Sequence, residues 1–285
     1  MPTVWEQITS KAQLPSLPDV YLRLREVLDD PDFCMADVAD VVGNDPAMTA
    51  RLLRIVNSAY FGLATEIDTV NRAVGLLGTQ EVHDLVLAVS VAQSFAGMSN
   101  EVMNMQRFWK RSVRTAVAAK ELASLCNVLD GERLFVGGLL RDIGHLFIYQ
   151  NAPTKALQAL ELAKAQNAPL FKAERAIIGV DYAKVGAELM RQWKLPQTLW
   201  ELTEHHVEPT ASDEYALSTS IVHIAGMMAD GADAGLSLED ALAGVSAHAW
   251  QVTGLSAEQC ASIVTTIDAQ VAGVTQMILP NSQAA

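Results

Sequence analysis

The sequence predicts an all-α protein, a multi-helix fold, and three observations carry that expectation. Apolar residues recur at helical spacing along nearly the whole chain, with no convincing run of period-two alternation. Prolines and N-capping residues divide it into lengths that suit short helices. No Asn-Gly or Asp-Gly pair sits between strand-like runs, since Asp130-Gly131 falls between helical stretches. With 285 residues, half of them hydrophobic, the chain can bury a sizeable core in one large or two modest domains.

The elements follow in order. Thr3 with Glu6 has the spacing of a capping box, and Asp45-Pro46 sets an N-cap acceptor before a proline at the first helical position. From there Met48, Leu52, Ile55, Val56 and Ala59 share one helical face, and Gly62 is a plausible stop. Gly78 separates two later helices. The cluster Gly97–Asn100 reads as a junction, so the expected organisation is an N-terminal helical subdomain, 1–98, and a second helical subdomain, 99–285, that ends with C-terminal helices. Pro153, Pro169, Pro196 and Pro209 punctuate that second part, and Ser256 with Gln259 again has capping-box spacing. The stretches ALSTSIVHIAGMMAD and AEQCASIVTTIDAQVAGVTQMIL read as helices that close the core, with a homodimer surface as the alternative. Pro280 to Ala285 reads as a frayed tail.

Composition narrows the function. A formal net charge of -13 opposes non-specific attraction to nucleic acid or anionic membrane. Cys34, Cys126 and Cys260 are far apart and form no CxxC pair, which fits free thiols in a reducing cytosol. No signal-peptide pattern opens the chain, and the most apolar window, VHDLVLAVSVAQSF, is interrupted by His83, Asp84 and Gln93 and too short to span a bilayer. The expectation is a cytoplasmic protein that needs no membrane.

The stretch from Leu14 to Gly78, with Leu14-Pro15, Leu17-Pro18, Asp45-Pro46, Asn57-Ser58-Ala59, Gly62 and Leu77-Gly78, closely resembles the amino-terminal part of the HDOD family, the HD-related output domain of bacterial signalling proteins. The resemblance continues through FVGGLLRDIGHL, VDYAKVGAELMRQWKLP and EHH and covers roughly residues 14 to 210. It implies an HD-like helical fold in a regulatory protein. The residues have readings of their own as well. Asn57 and Ser58 follow an apolar stripe and suit a braced turn; Ser58 as a nucleophile would need a base and an oxyanion hole that one sequence does not supply.

The HD superfamily of phosphohydrolases gathers imidazoles and carboxylates around divalent metal. By resemblance, its first His falls at Arg111, the His of its His-Asp pair at Arg141, a third His at Tyr182 and the closing Asp at Gly226, while Asp142, His205 and His206 remain. A guanidinium is always charged and has no lone pair to give a metal. The expectation is therefore an Arg–Asp–His brace in place of a metal, no cofactor and no catalysis. His205-His206 read as helix-end residues, and His83 and His145 as ordinary surface or interface histidines. Arg107, Lys110, Arg111 and Arg114 share a helical face, either as a solvated stripe or as an anion site for a nucleotide or other phosphorylated ligand.

Three functions follow. The leading one is a non-catalytic signalling module that binds an unidentified signalling protein or a small ligand. The second is a phosphohydrolase with an atypical site built on Asp142, His205 and His206. The third, a nucleic-acid regulator, is opposed by the net charge.

Overall fold

The structure is a computed structural model that describes residues 16–58, 60–95, 102–212 and 214–278, and all their regular structure is helical. The described residues form two compact units, one drawn from 16–95 with 264–278 and the other from 102–263. Thr3 with Glu6, Leu14-Pro15, Ala59, Gly97–Asn100 and Pro280 to Ala285 lie outside the described residues.

The first unit holds α1 (Asp19–Leu28), α2 (Met35–Gly43), α3 (Pro46–Val56), α4 (Val70–Leu77) and α5 (Thr79–Ser94). Helix α3 starts where the sequence places it, with Asp45 Oδ1 accepting from the Ala47 and Met48 amides at 2.9 Å each. Its face of Met48, Leu52, Ile55 and Val56 is buried. Beyond it the chain turns through Gly62 at φ +59°, and the Asn57 side chain clamps that turn: Nδ2 donates to the Ile67 carbonyl at 2.7 Å and Oδ1 accepts the Ile67 amide at 2.6 Å. Gly78, at φ +91°, lets the chain bend by 118° between α4 and α5.

Every residue of α5 from Val82 to Ala92 is buried, so the apolar window is the central helix of this unit. No single described helix is long and apolar enough to cross a membrane. His83 is buried in this helix and pairs with Asp84 at 2.8 Å, which corrects its reading as a surface or interface residue.

The chain's last described helix also belongs to this unit. The sequence places residues 99–285 in one subdomain; instead Val264–Ile278 groups with residues from 16–95. Its buried side chains Ile267, Val271 and Val274 give the reason, because the helix meets α3 and α5.

The second unit runs through α6 (Met105–Leu125), α7 (Gly131–Leu140), α8 (Ile143–Asn151), α9 (Pro153–Gln166), α10 (Leu170–Ile177), α11 (Tyr182–Gln192), α12 (Gln197–His205), a 3₁₀ turn at Pro209–Ala211, α13 (Ala216–Ala234), α14 (Leu238–Leu242), α15 (Ala247–Thr253) and α16 (Ala257–Ser262). The four prolines stand at or just before the starts of α9, α10, α12 and the 3₁₀ turn, and Ser256 and Gln259 form the expected reciprocal cap. Every residue from Leu134 to Tyr149 is buried, so α7 and α8 are the centre of this unit. Helices α6 and α13 pack on α7, and α11 packs on α8. Two of these contacts are backbone to backbone. A Cβ at Gly138 would stand 2.9 Å from the Thr115 carbonyl oxygen, and one at Gly144 would stand 2.7 Å from the Gly186 amide and overlap the Tyr182 carbonyl.

Candidate functional site

Arg141 and Asp142 occupy the break between α7 and α8, and both are buried, at 3 % and 2 % exposure. Burying an aspartate at this break requires counter-charge, and three other helices supply the partners. From α6, Arg111 Nη2 donates to Asp142 Oδ2 at 3.2 Å. Arg141 Nη2 lies 3.2 Å from the same oxygen and donates to Asp230 Oδ1 of α13 at 2.8 Å. Arg111 Nε stands 3.5 Å from that Asp230 oxygen, so two guanidiniums and two carboxylates alternate in a closed quartet. His206, at the end of α12, brings Nε2 to 3.7 Å from Asp142 Oδ1, an oxygen that has no hydrogen-bond partner among the described residues.

Aromatic and polar groups line the other side. His145 stacks on the Tyr182 ring with centroids 3.8 Å apart, and the Tyr182 hydroxyl lies 3.3 Å from His206 Nε2. His206 Nδ1 is 2.8 Å from the Thr203 carbonyl, which fixes the ring. His223 Nδ1 is 2.7 Å from the His206 carbonyl, while its Nε2 accepts the Ser246 amide at 3.1 Å. Behind His145 lies the fully buried Glu174, with Oε1 3.4 Å from His145 Nδ1 and Oε2 accepting the Tyr182 amide at 2.8 Å.

The electrostatics follow from that arrangement. Burial by itself would raise the Asp142 carboxyl, but the Arg141 and Arg111 guanidiniums override it and hold it well below the usual carboxylate range. Burial would lower Arg141 and Arg111, and Asp142 with Asp230 instead raises both above the ordinary guanidinium value. Burial pushes His206 down to about 3, helped by the nearby Arg141 charge, so its ring stays neutral. Burial also lowers His223 and raises the Tyr182 phenol.

The sequence-predicted residues divide cleanly. Arg111, Arg141, Asp142, Tyr182, His206 and Gly226 come together. Gly226 belongs because of what covers it: a Cβ there would overlap Arg141 Nη1. The long Arg141 side chain and the missing side chain at 226 are complementary in space.

His205 does not join them; it is directed to Glu201, 3.3 Å away on its own helix. The four-residue basic face is not one site either. Arg107 is an exposed residue gripping Asp233 at 2.8 and 2.9 Å, Arg111 belongs to the quartet, and neither Lys110 nor Arg114 lines the cavities described below. His145 is buried, not a surface residue. Ser58 sits buried in its turn in the other unit, and its Oγ has no hydrogen-bond partner among the described residues.

Sequence reasoning missed Asp230, Glu174, His145 and His223. Asp230 had a signal: it lies four residues beyond Gly226, on the same face of α13. Glu174 had none, because only the tertiary fold carries it to His145.

The donor set is a poor match for a divalent ion. Asp142 Oδ2 is held by two guanidiniums, position 226 has no side chain, and the space for one is filled by Arg141. Among the described residues no group of three or more His, Cys, Asp or Glu is placed to hold a metal. The residues present therefore do not fit the metal centre that an HD-like fold implies.

A cavity of about 600 Å³ opens beside the quartet, with Tyr182, His206 and Met227 in its wall and Pro169 to Lys172 along one side. A second cavity, of about 340 Å³, adjoins it and is lined by Phe108, Tyr149 and Leu160 among others.

Comparison with known proteins bears on this geometry. The family model of the HDOD domain matches residues 14–209. Among solved structures, an HDOD domain protein with unknown function from Geobacter sulfurreducens is 23 % identical with a TM-score of 0.78, covering 96 % of each chain. A Shewanella amazonensis SB2B protein provisionally named a phosphohydrolase is 24 % identical with a TM-score of 0.77, covering 96 % of this chain and 97 % of that one. A protein from Marinobacter aquaeolei VT8, provisionally named a signal transduction protein, is 19 % identical with a TM-score of 0.72 over 98 % of this chain and 62 % of its own. An uncharacterized protein of Treponema pallidum (strain Nichols) is 26 % identical over 219 residues, 75 % of this chain. The match takes in only 42 % of that relative's length.

Proposed function

The chain belongs to the HDOD domain family, and from that premise we propose that it is a regulatory module in signal transduction that binds a partner protein or a small ligand and does not catalyse hydrolysis. One observation carries the reading: the Arg141 guanidinium lies in the space that a side chain at 226 would need and is paired with both Asp142 and Asp230. A phosphohydrolase of this type activates water on a metal ion. Here fixed cations stand beside the one remaining signature carboxylate, and they pair with its Oδ2 without offering a coordination position. The cluster braces α6, the α7–α8 break, α12 and α13, and leaves a cavity beside it for recognition.

The other reading is a phosphohydrolase with ligands Asp142, His205 and His206. It is weakened by the direction of His205 and by the two guanidiniums on Asp142. The test is elemental analysis of protein purified without chelator, joined to a phosphodiesterase assay with added Mn²⁺ and Zn²⁺. The expected outcome is substoichiometric metal and no turnover. Stoichiometric metal, with turnover that disappears in Asp142→Ala and persists in the exposed control Lys164→Ala, would overturn the proposal.

A further inference from the structure

We propose that the junction of the two cavities binds the phosphate of a small phosphorylated molecule, with Lys172, His145, Arg111 and the first amides of α10 as its receptors. This deepens the ligand-binding reading and rests on it.

Three residues line both cavities: Arg111, His145 and Leu170. They define the wall where the two spaces meet. Leu170 is also the first residue of α10, and the start of that helix has no side-chain cap, although the Lys172 amide donates to the Pro169 carbonyl at 3.1 Å. Its N-cap is Pro169, which provides no side-chain hydrogen bond, and the first turn holds no acidic residue. The neighbouring α11 shows the contrast, because the Asp181 side chain caps it by accepting the Lys184 amide at 2.9 Å. The leading amides of a helix carry partial positive charge and orphan donors, and an anion satisfies both. In place of an acid, α10 has Lys172 in its first turn, a cation at the end of the dipole that disfavours one. Lys172 makes no ion pair among the described residues; its ammonium stands 5.8 Å from the Phe171 ring centroid.

His145 is the independent observation. Its side chain is only 7 % exposed, it lines both cavities, and it makes no hydrogen bond among the described residues, although Glu174 Oε1 lies 3.4 Å from its Nδ1. The acids around the cavities are engaged elsewhere. Glu208 receives Arg175 at 2.7 Å, Asp233 receives Arg107, and Asp142 and Asp230 belong to the quartet. The uncompensated charge facing this space is thus positive, and it lies beside the uncapped amides. Apolar walls at Phe108, Leu160, Phe171 and Met227 accommodate the body of such a ligand.

The test is a phosphorus NMR titration of the full chain with AMP and with inorganic phosphate, with adenosine followed by calorimetry as the uncharged control. The expected result is broadening or shift of the AMP resonance, with half-saturation below about 1 mM and no binding of adenosine. Lys172→Ala, an exposed position, weakens AMP binding by roughly threefold to tenfold, as loss of one charge-assisted contact should. His145→Gln weakens it as well, and Lys164→Ala leaves it unchanged. The inference fails if neither AMP nor phosphate perturbs its resonance on addition of protein, if adenosine binds as well as AMP, or if Lys172→Ala binds like the parent. The same spectra isolate the other failure. Growth of a free phosphate signal from AMP would show hydrolysis, overturning the non-catalytic reading while leaving the anion site in place.

Discussion

Asn57 in the first unit and the Arg141-Asp142 pair in the second are both polar groups set at the end of an apolar helix, and both belong to stretches that carry the family resemblance. They are used differently. The Asn57 amide spends its oxygen and its nitrogen on the backbone of one residue, Ile67, and the turn is closed. Asp142 also has strong partners, yet its Oδ1 accepts no hydrogen bond from the described residues and a cavity of about 600 Å³ lies alongside. A polar residue whose whole hydrogen-bonding capacity serves the local chain is structural. One with capacity left over, next to open space, marks a place for something else.

The most severe way to break this comparison is Asp142→Ala. It leaves two guanidiniums, one of them deeply buried, without their shared counter-charge, and the expected loss is about 3–5 kcal/mol in urea unfolding. A loss under about 1 kcal/mol would show that the quartet contributes little to the fold.

Acid is the next lever. His206 is near 3 in the folded chain against 6.5 for an ordinary histidine, so the unfolded chain takes up this proton first. The stability from keeping the ring neutral is complete above about pH 6.5 and is lost as pH falls toward 3, by up to about 1.4 kcal/mol per pH unit. His223, also lowered by burial, acts in the same sense. His206→Gln should flatten the pH dependence of the unfolding midpoint between pH 6 and 4 by more than half; an unchanged slope would place the acid sensitivity elsewhere.

Gly226→Ala probes the complementarity with Arg141. The added methyl overlaps Arg141 Nη1, and the expected cost is about 1–3 kcal/mol. With Arg141→Ala beside it the clash is removed and the helix-favouring alanine should become neutral or stabilising, giving a coupling of about 1–3 kcal/mol in the cycle. Additivity would mean that the two positions do not share space. Asn57→Ala deprives the Ile67 amide and carbonyl of their partners and should cost about 1–2 kcal/mol without altering any ligand titration. The smallest effect belongs to His205→Ala, within about 0.5 kcal/mol, because its contact with Glu201 is a pair on one helix and outside the quartet.

The helices were legible because their signals are local. Asp45 before Pro46, the Ser256–Gln259 pair and the prolines near the starts of α9, α10 and α12 each act within a few residues. The ownership of the helix Val264–Ile278 was not legible, since an apolar face does not say which core it enters. At the site, the motifs pointed to Arg141, Asp142, Tyr182 and Gly226. The His205-His206 pair illustrates the limit: adjacent helical residues point about 100° apart, so only one of them can face the cluster. Glu174 and Lys172 were hidden for another reason. Their roles depend on what α10 faces, and that is decided by tertiary packing.

The glycine crossings of the second unit have a consequence for how this site can vary. At Gly144 and Gly186 the backbones of α8 and α11 touch, and at Gly138 the backbone of α7 meets that of α6. Main-chain contact thus helps to set the frame that delivers residues 111, 141, 142 and 182, beside the ion pairs that brace it. The crossings use none of these four side chains, so an exchange of imidazole for guanidinium changes the bracing without removing a backbone contact.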